Sequence, residues 1–171
     1  MNYSKKTFFT LLVATFCLAS TSMAQKFAHI NSQQLLVESP LVKTADTELA
    51  AFQEGLISVG KGMVKDFETA YGTYVAEVEA GGLSKVQMTQ REEQLGKQQE
   101  AIQKYEIEVQ QRIAQKREEL YKPILDKAKV AIEAIGKEGS YTMIFDTSTN
   151  ALLFAVESED ILPKVKAKLG W

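Results

Sequence analysis

From Pro40 to Ile135 the apolar residues recur three or four positions apart, and the run is broken only once, at Gly81-Gly82. On the first leg the series reads Ala45, Leu49, Phe52, Leu56, Val59, Met63, Phe67, Ala70, Tyr74, Val78. That spacing keeps one face of an α-helix apolar, here for roughly ten turns. At 1.5 Å rise per residue each leg is a rod on the order of 60–75 Å long, far beyond the mean helix of about 11–12 residues. Two rods side by side have no third layer to cover their stripes. The stripes must meet a second chain, a bound client, or both.

Local signals set the ends of the rods. Ser39 is placed to cap the first helix, with Pro40 at its first helical position. Gly81 and Gly82 end it, because a positive φ is available there without steric cost. Ser84 and Gln87 then fit a capping box, which puts the hairpin tip at residues 80–84. Gly55, Gly60, Gly62 and Gly72 lie inside the first helix, each costing about 1 kcal/mol relative to alanine. The second helix is polar from Gln87 to Gln103, with Leu95 and Ile102 as its main stripe residues. Its stripe thickens from Val109 through Ile113, Leu120, Ile124, Ala128, Ala131 and Ile135. Pro123 removes a backbone hydrogen bond and is expected to kink the helix where rod meets base.

Both ends of the chain read as β structure. Lys26 to Asn31 is a short strand, followed by a brief helical segment, Ser32 to Glu38. After Gly136 and Gly139 the period changes to two. Tyr141–Asp146 and Ala151–Val156 read as strands around a polar turn, Thr147–Asn150. A last helix is expected with Asp160 as N-cap, Pro163 in its first turn, and Ile161, Val165 and Leu169 on its buried face. Three short strands and one helix make a thin core, and sharing the sheet among subunits would close its edges. Phe27, Ile30, Ile144, Phe145, Leu152 and Phe154 are the residues expected in that shared body. The fold class is therefore α+β. A long antiparallel helical hairpin with coiled-coil-like arms (39–139) projects from a small β body (25–38 and 140–171) completed by oligomerisation.

The first residues carry an export signal. Lys5 and Lys6 form a positive region, Phe8 to Ala19 an apolar one, and Ser22-Met23-Ala24 a small-residue cleavage site. Cleavage after Ala24 would leave one domain, 25–171, outside the inner membrane. Cys17 follows bulky Phe16, unlike lipoprotein processing sites, so no lipid anchor is expected. Cys17 is also the only cysteine, so the mature chain has no disulfide and no thiol chemistry. Processing removes Lys5 and Lys6 from 20 basic residues and none of the 22 acidic ones, leaving a net charge near −4. That balance gives no reason to bind nucleic acid and disfavours an anionic membrane surface.

Two stretches resemble a known family. Lys26-Phe27-Ala28-His29-Ile30-Asn31-Ser32-Gln33-Gln34-Leu35-Leu36 followed by Ser39-Pro40 is similar to the N-terminal signature of the Skp/OmpH periplasmic chaperones. Pro123-Ile124-Leu125, then Ile135 to Asp146, resembles the family's helix-to-strand junction, and Ala151–Ala155 and Asp160-Ile161-Leu162 continue the match. The resemblance implies a homotrimer whose strands build a barrel-like body. From that body three hairpins enclose a cavity that holds unfolded outer-membrane proteins without ATP. It thus implies a periplasmic holdase; the rod by itself leaves a structural coiled-coil spacer of the cell envelope as the alternative, which predicts strict heptads, whereas the apolar spacing here drifts and glycines interrupt it. Well-known members are basic while this chain is acidic, so no lipopolysaccharide-binding residues carry over, and lipopolysaccharide and membrane surface stay unassigned.

Enzyme chemistry finds little footing. Gly55-Leu56-Ile57-Ser58-Val59-Gly60-Lys61-Gly62 nearly spells a phosphate-binding loop, but Gly62 replaces the Ser/Thr and the preceding residues are helical in pattern. His29 is the only histidine and reads as a strand residue. Glu92-Glu93 and Glu118-Glu119 read as solvated helix surface. No enzyme, metal or cofactor is expected. Phe52, Phe67, Tyr71 and Tyr74 read first as packing between the hairpin's own two helices. The alternative turns Tyr71 and Tyr74 partly toward a cavity and makes this group, with Met63 and Met88, the candidates for touching a client, since aromatic and thioether side chains make adaptable apolar contacts.

Overall fold

The computed structural model of the chain describes residues 25–149 and 151–171. The expected signal segment, its cleavage site and Cys17 lie outside the described residues, as does Asn150 of the expected turn. In order, the elements are β1 (Phe27–Ile30), α1 (Ser32–Glu38), α2 (Pro40–Glu79), α3 (Lys85–Glu138), β2 (Met143–Asp146) and α4 (Leu162–Leu169). A 3₁₀ turn, Glu157–Glu159, precedes α4.

Short-range chemistry sets these boundaries. The Asn31 side chain accepts from the Gln34 N–H at 2.9 Å and starts α1. Buried Ser39 accepts from the Val42 N–H at 3.4 Å and starts α2. At the tip Gly81 takes a φ of 66°, the left-handed value that favours glycine. The Gly82 N–H then bonds the Glu77 carbonyl at 3.1 Å. Ser84 and Gln87 form a reciprocal capping box: the Gln87 N–H donates to Ser84 Oγ and the Ser84 N–H to Gln87 Oε1. α3 passes through Pro123 as one helix to Glu138. Pro123 is exposed, so water can take up the carbonyl that its missing N–H leaves free.

β1 and β2 pair in parallel, Phe27 opposite Met143 and Ile30 opposite Asp146. Parallel neighbours need a long crossover, and the helical hairpin is that crossover. Against the sheet lie α1, the base of α3 and α4. Their shared core holds Ala28, Ile30, Leu35, Ala131, Ile161 and Val165, and Leu35, Ile161 and Val165 are 0–1% exposed. Asp146 fastens the end of β2 to the start of α1, accepting from the Ser32 N–H at 3.1 Å and Ser32 Oγ at 2.5 Å. The expected N-cap Asp160 falls one residue early: Ile161 is the N-cap of α4 and carries no side-chain cap, while Asp160 accepts from the Leu162 N–H at 2.8 Å just ahead of the helix.

One expected strand is absent from this chain. Ala151–Val156 forms no ladder, and the sheet among the described residues has two strands, not three. β1 offers it no edge. β1 is bonded to β2 on one side, and on the other His29 O accepts from the Ile161 N–H at 3.0 Å. Strand propensity is realised only where an edge and a packed face are available. Leu153 and Phe154 instead stand 97% and 82% exposed.

Candidate binding surface of the arm

The hairpin of α2 and α3 has a thin seam. Ala45, Leu49 and Leu56 of α2 are buried near the base, as is Ile124 of α3; between Leu56 and Ile124 no residue is. Toward the tip the seam is made of half-buried side chains, among them Met63, Phe67, Ala70 and Tyr74 of α2 and Met88, Leu95 and Ile102 of α3.

A second apolar row lies one position further round α2. Ile57, Val64, Tyr71 and Val78 are spaced by seven, so a helix stacks them in a line. They are 53%, 40%, 53% and 39% exposed. The row is about 32 Å long at 1.5 Å per residue. Nearer the base, Ile113, Ala114, Tyr121 and Leu125 of α3 line an open groove of about 760 Å³.

Polar clasps, rather than apolar burial, fasten the two helices. Near the base the Tyr121 hydroxyl donates to the Asp46 carboxylate, and Lys116 lies 2.9 Å from Glu48. Midway, the Tyr105 hydroxyl donates to the Leu56 carbonyl at 2.9 Å. Near the tip the Tyr74 hydroxyl donates to Glu92 at 2.6 Å, and Arg91 lies 3.5 Å from Glu77. The bond to Glu92, with some burial, raises the Tyr74 hydroxyl above its ordinary pKa. Asp46 does the same to Tyr121, and Glu48 raises Lys116.

The candidate residues therefore divide. Phe52, Met63, Phe67, Tyr74 and Met88 belong mostly to the hairpin's own seam, Phe52 with the Arg112 guanidinium 5.8 Å from its ring. Tyr71 alone of that group is exposed, its ring stacked on Phe67 at 6.2 Å. Ile57 and Val64 were not singled out by sequence, and Val78 was read only as the end of the first stripe, although their seven-residue spacing with Tyr71 was readable there. Glu92 is a clasp and not merely solvated charge. The stretch from Gly55 to Gly62 is interior α2, with no strand before it and no loop to cradle a phosphate. His29 Nε2 lies 3.1 Å from the Val156 carbonyl, tying the 151–156 segment to β1. Among the described residues no group of His, Cys, Asp and Glu is arranged to hold a metal, and no helix is long and apolar enough to cross a membrane.

At the body, Phe27 and Phe145 stand 6.0 Å apart, ring to ring, and are 42% and 40% exposed. With Leu152 and Phe154 they line an open cavity of about 210 Å³. Ile144 is half-buried against the core. Ile30 is 2% exposed and belongs to the chain's own core.

Comparison with known proteins agrees with this architecture. A model of the family "Outer membrane protein (OmpH-like)" matches residues 26–169. Among solved structures, an OmpH-like protein from Caulobacter crescentus CB15, a candidate outer membrane chaperone, superposes with a TM-score of 0.75. It is 14% identical over 85% of this chain and 83% of its own, a likeness that speaks to the fold alone. No curated protein matches the sequence significantly. Two helices joined at a capped tip, rooted in a parallel strand pair that the hairpin itself connects, and a family match across nearly the whole described chain make this protein a member of the OmpH-like family.

Proposed function

We propose that this chain is an ATP-independent holdase chaperone of the periplasm, exported with cleavage after Ala24, that shields unfolded outer-membrane proteins between its arms. The observation that carries the reading is the row Ile57, Val64, Tyr71 and Val78, an apolar line that the described residues leave 39–53% exposed. An unfolded outer-membrane strand has one apolar face and unpaired backbone groups, and is aggregation-prone in water. Its 9–11 residues span a length comparable to the row. Several weak contacts of this kind add up by avidity when arms are held together.

The body supplies a reason for holding them together. Phe27, Phe145, Leu153 and Phe154 leave an apolar surface beside the strand pair, and a second copy offering Ala151–Val156 would complete the sheet. Family membership supports a trimer. We assign the subunit contact to this surface and client contact to the open row, with Tyr71 as its aromatic member; Phe52, Met63, Phe67, Tyr74 and Met88 support the arm from within.

The experiment is light scattering of an outer-membrane protein diluted from urea. Stoichiometric trimer should suppress aggregation; unchanged scattering would reject the holdase reading. A coiled-coil spacer is the second reading, favoured by the regular three-four spacing of Ile57, Gly60, Val64, Phe67, Tyr71, Tyr74 and Val78. A cysteine at Tyr71 separates the two: the holdase crosslinks to an unfolded client, the spacer to a neighbouring subunit.

A further inference from the structure

Strand alternation gives the sheet two faces. Ala28 and Ile30 lie on the core side with Ile144, while Phe27 and His29 lie on the other, opposite Met143 and Phe145 in the register. This outer face is apolar and open, Met143 being 53% exposed beside the two phenylalanines. Among them stands His29, the only histidine of the chain. Its contact with the Val156 carbonyl holds the half-buried imidazole on the face.

One acid shares this place. Glu159 of the 3₁₀ turn lines the cavity of about 210 Å³ together with His29, Phe27, Phe145 and Phe154. Its Oε2 is enclosed and has no hydrogen-bond partner among the described residues. A carboxylate oxygen kept from water is costly unless a proton or a cation meets it. The other charged groups around His29 are engaged elsewhere or exposed. Asp160, bridged to His29 through the backbone, accepts from the Leu162 N–H, and Asp146 accepts from Ser32. Lys26 reaches the Gly139 carbonyl and the Tyr141 ring, and Glu157 is exposed. α1, α3 and α4 pack on the opposite, core side of the sheet. Among the described residues the cavity is lined by no ionisable side chain besides His29 and Glu159.

We infer that His29 and Glu159 make the subunit contact proton-linked: closing this face against a second copy takes up one proton per chain. The inference rests on the subunit contact proposed for this surface. In water an imidazole gives up its proton at about pH 6.5 and a glutamic acid at about 4.3, so above neutrality such a pair carries one negative charge. A second copy laid over Phe27, Phe145 and Phe154 shuts the pair away from water, and a low-dielectric enclosure favours the state without net charge. One proton provides that state, whether it sits on the imidazole beside a carboxylate or on the carboxyl beside a neutral ring. Above about pH 6.5 the assembled form then binds more protons than the separate chains, so assembly tightens as pH falls toward that value. Below it the separate chains already carry the proton, and the gain levels off. Complete uptake sets a ceiling of about tenfold per chain per pH unit.

Sedimentation equilibrium of the mature protein across this range tests the linkage. From about pH 8 to about 6.5 the midpoint of assembly should move severalfold to lower concentration, and from there to about 5.5 it should change little. Glu159→Gln encloses the imidazole alone and favours its neutral form, so the dependence should reverse, with assembly weakening as pH falls from about 7 to about 5.5. The double variant His29→Gln/Glu159→Gln should assemble equally at every pH in the range. Both positions lie outside the chain's own core, and circular dichroism checks that each variant keeps its helices. A wild-type midpoint indifferent to pH, a Glu159→Gln protein with the wild-type slope, or a slope that survives in the double variant overturns the linkage and leaves the contact standing. A chain monomeric at every pH overturns the contact and the linkage with it.

Discussion

Leu35, Ile161 and Val165 in the body are 0–1% exposed, whereas the arm from Ile57 to Pro123 has no fully buried residue. The body gathers four elements around one apolar centre, so its cohesion comes from area removed from water. The arm has two elements only, and a two-helix seam cannot enclose its side chains. Tyrosine and ion-pair clasps at Asp46, Glu48, Leu56, Glu77 and Glu92 hold its register instead. A seam held by clasps leaves apolar rows free for something else to cover. Cohesion and availability are thus assigned to opposite ends of one molecule.

The contrast is broken most directly by truncating a side chain in each region. Leu35→Ala should cost about 2–5 kcal/mol, the usual range for a buried leucine. Leu95→Ala, at a half-buried seam position, should cost about 1 kcal/mol or less, because little cavity forms where solvent already reaches. Urea unfolding followed by circular dichroism at fixed protomer concentration measures both. Equal losses would mean that the arm is as well packed as the body, and the comparison fails. Next in size is helix capping. Ser39→Ala should cost about 1–2 kcal/mol, since its hydroxyl is buried where α1 turns into α2. Ser84→Ala at the exposed tip should cost about 0.5–1 kcal/mol and fray only the start of α3, seen as faster exchange at Gln87 and Met88.

Much of this organisation was legible because it is local. Ser39-Pro40, Gly81-Gly82 and the Ser84/Gln87 pair act within one turn of chain, and each stands where the sequence reading put it. Ala151–Val156 was not legible as a non-strand: its period-two pattern is real, but a pattern does not say whether the segment reaches a sheet edge, and within this chain it pairs with neither strand. The division of the α2 stripe was also hidden. Ile57 and Leu56 are neighbours in sequence, and only the position of α3 decides that Leu56 is buried while Ile57 is open. Tyr105 and Tyr121 lie in a stretch rich in Gln, Glu, Lys and Arg, where an isolated tyrosine was the available signal for a clasp.

The smallest effects should appear at opposite ends of the pH scale. In the body, burial pushes the Asp146 carboxyl up, but hydrogen bonds from Ser32 and Ser148 outweigh it and hold it below the ordinary 3.8. A depressed carboxyl stabilises the fold above its unfolded pKa, and the contribution is lost as pH falls through the lower folded value. In the arm, Glu92 and Asp46 raise the Tyr74 and Tyr121 hydroxyls above the ordinary 10.0. That contribution is complete below the unfolded pKa and is lost as pH rises through the higher folded value. Acid should therefore loosen the junction of β2 with α1 first, and alkali the clasps of the arm. Exchange at Ser32 and Ser148 reads the first, and Ser32→Ala, which removes the hydroxyl but keeps the backbone donors of residues 32 and 148, should weaken its response to acid. Tyrosinate absorbance reads the second: Tyr74→Phe and Tyr121→Phe should each remove a late-titrating component. Should the last tyrosines to ionise survive both substitutions, the clasps are not what holds the arm, and the contrast with the body loses its electrostatic half.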